Sequence, residues 1–208
     1  MVLVNYKNTF GSLQTIAFIS SLVTFSSNFL SEIGKIIPSV QAIQQSGIVK
    51  KSFENFIGKI KSNRVIREAL KEKIKIEYKQ APEFFNSILN DNLANRNLYD
   101  PVLLGEEFIR QRPKCIAPTN KCAKEHYDWI NRIETLANYL NEVLNGMGET
   151  AISYERQTGK SFDALSYQEQ ISILTKAERK KVHTSSLENP IIYAAIIGAA
   201  LLFLTKNK

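Results

Sequence analysis

The sequence predicts an all-α chain: a helical body, one C-terminal transmembrane helix and an amphipathic N-terminal helix. Three observations carry this. Residues 191–204 are apolar apart from the Tyr193 hydroxyl, and no charge falls between Glu188 and Lys206. Upstream, apolar residues recur at intervals of three and four, which gathers them on one side of a 3.6-residue helix. Strand-like alternation is confined to Lys73–Tyr78, with no second run suited to pair with it. The 208 residues suffice for one ordinary domain with appendages, and 44% hydrophobic with 23% charged residues is the composition of a folded chain. The organisation expected is residues 1–49, an amphipathic helix and turn region; 50–186, a basic helical body; and 187–208, a membrane anchor.

The chain is uncharged from Asn8 to Ser31, and Phe18, Leu22, Phe25, Phe29, Ile33 and Ile36 form one helical stripe there. Ser20, Thr24, Ser27, Asn28 and Ser31 make the other side. A polar face without charge suits a helix packed on protein, the preferred assignment, or one lying in a membrane. A cleaved signal peptide is the third option, opposed by the serines, Gln14 and the lack of a small-residue cleavage site. Pro38 and Gly47 punctuate the next stretch around a short helix at 40–45. From Lys50 the chain turns basic. Phe53, Phe56, Ile57 and Ile60 form a stripe, followed by Arg64, Arg67, Lys71, Lys73 and Lys75. Such a helix suits a phospholipid surface or a phosphate backbone. Glu68, Glu72 and Glu77, three or four residues from these cations, favour a surface helix with internal ion pairs instead.

Pro82 opens a helix through Phe84, Phe85, Ile88, Leu89 and Leu93. Asp100-Pro101 is an N-cap and first helical residue, leading into Leu103, Leu104, Phe108 and Ile109. A longer helix follows at 121–145 through Ile130, Ile133, Leu136, Ala137, Leu140, Val143 and Leu144, with Gly146 as its C-terminal stop. A short helix at 151–156 comes after that break. Ser166-Tyr167-Gln168-Glu169 is a capping box, opening a helix that runs through Ile171, Leu174 and Ala177 into Lys176, Arg179, Lys180 and Lys181.

The tail has the parts of an anchor. Pro190 suits a first helical turn, Tyr193 an interface, and Lys206 can snorkel beyond the far headgroups. Ile191, Ile197, Leu201 and Phe203 supply apolar bulk. The apolar core is about 14 residues, or roughly 21 Å of helix, against the ~17–25 residues of an ordinary span. Counting from Leu187 to Lys206 gives a short but workable crossing; a buried terminal helix is the alternative that length alone allows. Ala194 with Gly198, and Ala195 with Ala199, form small-xxx-small pairs that could seat a second copy or the Phe18–Ile36 stripe. Lys176, Arg179, Lys180 and Lys181 outnumber the cations beyond the tail, which places the body on the cytoplasmic or interior-facing side. Each adds about 1 kcal/mol near an anionic leaflet.

Net charge is +7 and the pI about 9.3, which suits anionic headgroups. The 27 basic residues interleave with 20 acidic ones, so nucleic acid is a disfavoured partner. Cys115 and Cys122 could form a disulfide or stay as thiols; with His126 they make an incomplete metal-ligand set. A disulfide needs an oxidising compartment, against the orientation inferred from charge. No cofactor motif is present: Thr158-Gly159-Lys160-Ser161 lacks the upstream glycine of a phosphate loop. With two histidines, His126 and His183, no triad is compelling. The expected role is therefore non-enzymatic: a membrane-anchored scaffold tethering other subunits, or copies of itself, to a bilayer, as a minor membrane component of a lipid-containing virion would. The alternatives are a membrane-anchored peptidoglycan-degrading or lysis enzyme using Glu106, Glu107 or Asp128, and a nucleic-acid binder at a membrane acting through Lys50–Lys79.

Overall fold

One long helix organises the body of the protein. In the computed structural model, which describes residues 12–89 and 98–181, α6 spans Asn120–Thr158 without interruption. At 1.5 Å per residue it is about 58 Å long. Its apolar stripe, from Trp129 and Ile130 through Leu140, Val143 and Leu144 to Met147 and Ala151, is buried. The other helices are laid around it: α1 (Ser12–Ile33), α2 (Gln41–Ser62), α3 (Arg64–Gln80), α4 (Pro82–Leu89), α5 (Pro101–Arg110) and α7 (Tyr167–Thr175), with a 3-10 turn at Phe162–Ala164. Among the described residues there is no strand, and Lys73–Tyr78 is helical. Residues 187–208 and His183 lie outside the described residues, as does Leu93.

α1 packs on α6 and α2. Leu22, Phe29 and Ile33 of the expected stripe are buried, as are Ile19 and Leu30, while Phe18, Phe25 and Ile36 are partly covered. Phe25 and Phe29 stack on Phe56 and Phe53 of α2. Ser26 Oγ and Asn141 Oδ1, 2.5 Å apart, form a buried polar link that fixes the register of α1 on α6. By length and composition Gln14–Ile33 is also apolar enough to cross a membrane.

α2 corrects the expectation of a short helix at 40–45. It runs on through Gly47 and buries Val49, Phe53, Phe56, Ile57 and Ile60. Tertiary packing along this face outweighs the weak helix propensity of one glycine, about 1 kcal/mol. The position between residues 49 and 50 therefore falls inside a helix. The break comes at Asn63, which is extended and whose Oδ1 accepts the Ile66 N–H at 3.1 Å, capping α3. Asp100 caps α5 as the sequence indicated, accepting from Val102 N at 2.9 Å, with Pro101 in the first turn. The same carboxylate takes both the Nε and Nη2 protons of Arg67, which ties α5 to α3.

Gly146 is likewise not a stop. It lies in the middle of α6, where a Cβ would collide with the Glu178 carbonyl oxygen. The helix ends instead at Gly159, whose φ of 65° is the left-handed conformation that favours glycine, and whose N–H returns to Glu155 O. The expected short helix at 151–156 is the last part of α6. Two residues from Gly146, Gly148 lets Ile19 of α1 approach, with Cγ2 3.3 Å from where a Cβ would stand.

Candidate functional site

The sequence placed its functional weight on the cationic run leading into the apolar tail, and the structure gives that run a definite seat. α7 opens with the capping box: Ser166 Oγ accepts from Glu169 N, and the Glu169 carboxylate accepts from Ser166 N. These bonds hold the Glu169 carboxyl below the usual carboxylate range. The helix does not continue into the lysines, however. It ends at Thr175, and the segment 176–181 leaves it as an irregular strap.

The strap exchanges helical hydrogen bonds for bonds to α3 and α6. Lys73 Nζ donates to Ala177 O at 2.6 Å. Lys180 N donates to Glu142 O at 3.0 Å, and Asn145 Nδ2 donates to Lys180 O at 3.3 Å. Ala177 is buried, and the Glu178 backbone lies against Gly146, where only glycine leaves room. Of the four cations expected to meet headgroups, Arg179 turns to the body's own acids, 3.5 Å from Glu77 and 3.7 Å from Glu142, with its guanidinium over the Tyr139 ring. Lys180 Nζ is 3.7 Å from Glu149. Lys176 and Lys181 are exposed. Beneath Arg179, Tyr139 has its hydroxyl pushed well above the ordinary phenol range, by burial first and then by the charge of Glu77. Lys73 and Glu77, themselves an ion pair at 3.3 Å, line a cleft beside the strap with Phe84, Phe85 and Arg179.

A second cluster sits at the start of α6. Thr119 Oγ1 caps the helix by accepting from Cys122 N at 3.2 Å. Cys122, in the first turn, is disulfide-bonded to Cys115 on the preceding loop, with the two Cα atoms 5.9 Å apart. One turn further on, buried His126 places Nε2 2.9 Å from Cys115 O and Nδ1 2.7 Å from the Oγ of buried Ser46 in α2. Arg112 Nε donates to the same hydroxyl at 3.1 Å. Neither Ser46 nor Arg112 could be found by periodicity, since 80 residues separate Ser46 from His126.

The three carboxylates considered for glycan cleavage are each engaged locally. Glu107 is buried and accepts from Arg110 and Gln111, Asp128 pairs with Lys124 at 2.6 Å, and Glu106 lies 3.9 Å from Lys61. The basic stretch of α2 and α3 carries ion pairs within its helices, Lys50 with Glu54, Lys71 with Glu68 and Lys75 with Glu72. Among the strap's partners, the sequence marks Lys73 and Glu77 only as charges of a surface helix, and Glu142 and Asn145 carry no signal. Gly146 carried one that points to a helix stop, and the contact with the Glu178 backbone gives it another role. No protein-family model, curated protein or solved structure matches the chain.

Proposed function

We propose that this chain is a membrane-anchored structural protein: residues 187–208 hold it in a bilayer, and the helical body tethers a protein assembly to that bilayer from the cytoplasmic or interior-facing side. The observation that carries the reading is the strap. An apolar segment that only parks a domain at a membrane needs no more than a flexible leader. Here the last six described residues are stitched by backbone and side-chain bonds to two helices of the body, which supports a body held firmly at the point where the chain leads toward the apolar segment. The uncharged run between Glu188 and Lys206 and the exposed Lys176 and Lys181 beside it fit an anchor entering an anionic leaflet.

Membrane fractionation tests this. The intact chain should stay with membranes through high-salt and alkaline washes, while a chain lacking residues 189–208 should be soluble and keep its helical circular dichroism. Release of the intact chain by alkaline carbonate would refute anchoring by a span. Retention of the truncated chain on membranes would move the anchor to another part of the protein.

A further inference from the structure

We infer that Cys115, Cys122 and His126 form a redox-gated metal site, empty as a disulfide and able to hold a thiophilic divalent ion such as zinc(II) once reduced. The inference is independent of the membrane reading. Its ground is geometry: one donor atom from each of the three residues lies within 4.8 Å of the other two. Around a tetrahedral zinc ion with Zn–S and Zn–N bonds of ordinary length, such donors sit about 3.5–3.8 Å apart. Cys122 and His126 are one turn apart on the same face of α6, a rigid pair of ligands. Cys115 is on the loop between α5 and α6, so it is the partner that can move out from bonding contact. A further oxygen donor, the Glu125 carboxylate, lies 3.5 Å from Cys115 Sγ, leaving the fourth position to Glu125 or water.

Opening the site releases all three ligands together. The sulfur–sulfur bond is reduced to two thiols either by two equivalents of an external thiol, which leave as their own disulfide, or by a phosphine, which gives the electron pair and becomes the phosphine oxide while water supplies its oxygen and the two protons; the ion then displaces both thiol protons on binding. In the disulfide state Nε2 of His126 is held against the carbonyl of Cys115 itself, at 2.9 Å. Freeing Cys115 from Cys122 also frees that carbonyl to withdraw, and Nε2 becomes a ligand. The other ring nitrogen is already provided for. Ser46 Oγ lies 2.7 Å from Nδ1 and 2.8 Å from Ile43 O. With its hydrogen turned to Nδ1, Ser46 supports the tautomer that donates to Cys115. With its hydrogen turned to Ile43 O, it accepts from Nδ1–H and leaves Nε2 bare for the metal. A buried hydroxyl that orients a ligating imidazole is the outer-shell arrangement metal sites use.

The test is anaerobic cobalt(II) titration of the full chain in detergent, with and without prior phosphine reduction. The reduced chain should bind one equivalent and show thiolate-to-cobalt charge transfer with the intense ligand-field bands of a four-coordinate ion, bleached by zinc(II). The oxidised chain should show neither. Cys115→Ser, on the loop and half-exposed, should abolish the charge transfer without loss of helicity. Ser46→Ala should weaken binding about 10–100-fold, as loss of an outer-shell partner does. A reduced, helical chain with two reactive thiols and no such bands overturns the site. So does Cys115→Ser with the bands intact. His126→Ala that binds cobalt as tightly as the parent removes histidine from the ligand set.

Discussion

Replacing Gly146 by alanine puts a methyl group where the Glu178 carbonyl now rests. Moving α6 the other way carries Gly148 toward Ile19 of α1, whose Cγ2 lies 3.3 Å from where a Cβ at Gly148 would stand, so the strap is the part expected to lift. Lifting it removes three hydrogen bonds, from Lys73 to Ala177 O, from Lys180 N to Glu142 O and from Asn145 to Lys180 O. At about 1 kcal/mol net each, that is about 3 kcal/mol. Alanine in a helix interior returns about 1 kcal/mol of propensity. The expected destabilisation is therefore about 2 kcal/mol, within the range found for overpacked interiors. Urea denaturation followed by the fluorescence of Trp129, the sole tryptophan, measures it. The sign gives a sharper check. In a chain ending at Thr175 there is no strap to displace, and Gly146→Ala should stabilise by about 0.5–1 kcal/mol. A neutral or stabilising effect in the intact chain would refute the packing argument.

Two further predictions concern charges. Arg67→Ala leaves the mostly buried Asp100 carboxylate without its bidentate partner. Because Arg67 is itself 31% exposed, the cost expected is about 2 kcal/mol rather than the ~3–5 kcal/mol of a fully buried pair. Asp100→Asn, which keeps an acceptor for Val102 N, should cost less than Asp100→Ala; equal urea midpoints for the two would count against the capping role. Tyr139 titrates above its unfolded value because burial and then Glu77 disfavour the phenolate, with Arg179 opposing. A group raised in the folded state contributes stability that is present below the ordinary phenol range and lost as pH rises through the folded value. Tyr139→Phe should therefore lose less stability than the parent between neutral and strongly alkaline pH. The same alkaline loss in both would place the titrating group elsewhere.

Local signals in the sequence proved good guides. The stripe Phe53, Phe56, Ile57, Ile60 is buried as its spacing requires, and the Asp100-Pro101 start and the Ser166–Glu169 box are formed. These depend on neighbours within one or two turns, and so are written where they act. Glycine misled twice over. At Gly47 and Gly146 it stands inside helices, and at Gly159 it ends one, because the same missing Cβ serves a left-handed turn or a close approach and only the packing partner decides which. The strap was misread for a related reason. Lys176–Lys181 has ordinary helix formers, but buried Ala177 and the partners on α3 and α6 outbid the intrachain bonds. The Ser46–His126 contact joins residues 80 apart, beyond any periodic pattern.

The two close approaches at Gly146 and Gly148 have a mechanical consequence. Residues two apart on a helix point about 200° from one another, so α1 and the strap lie against α6 at nearly the same height on opposite sides. The described chain thus enters and leaves the fold across the width of its longest helix, not along its length. A pull between the two ends would shear both attachments at once instead of peeling helices off one after another.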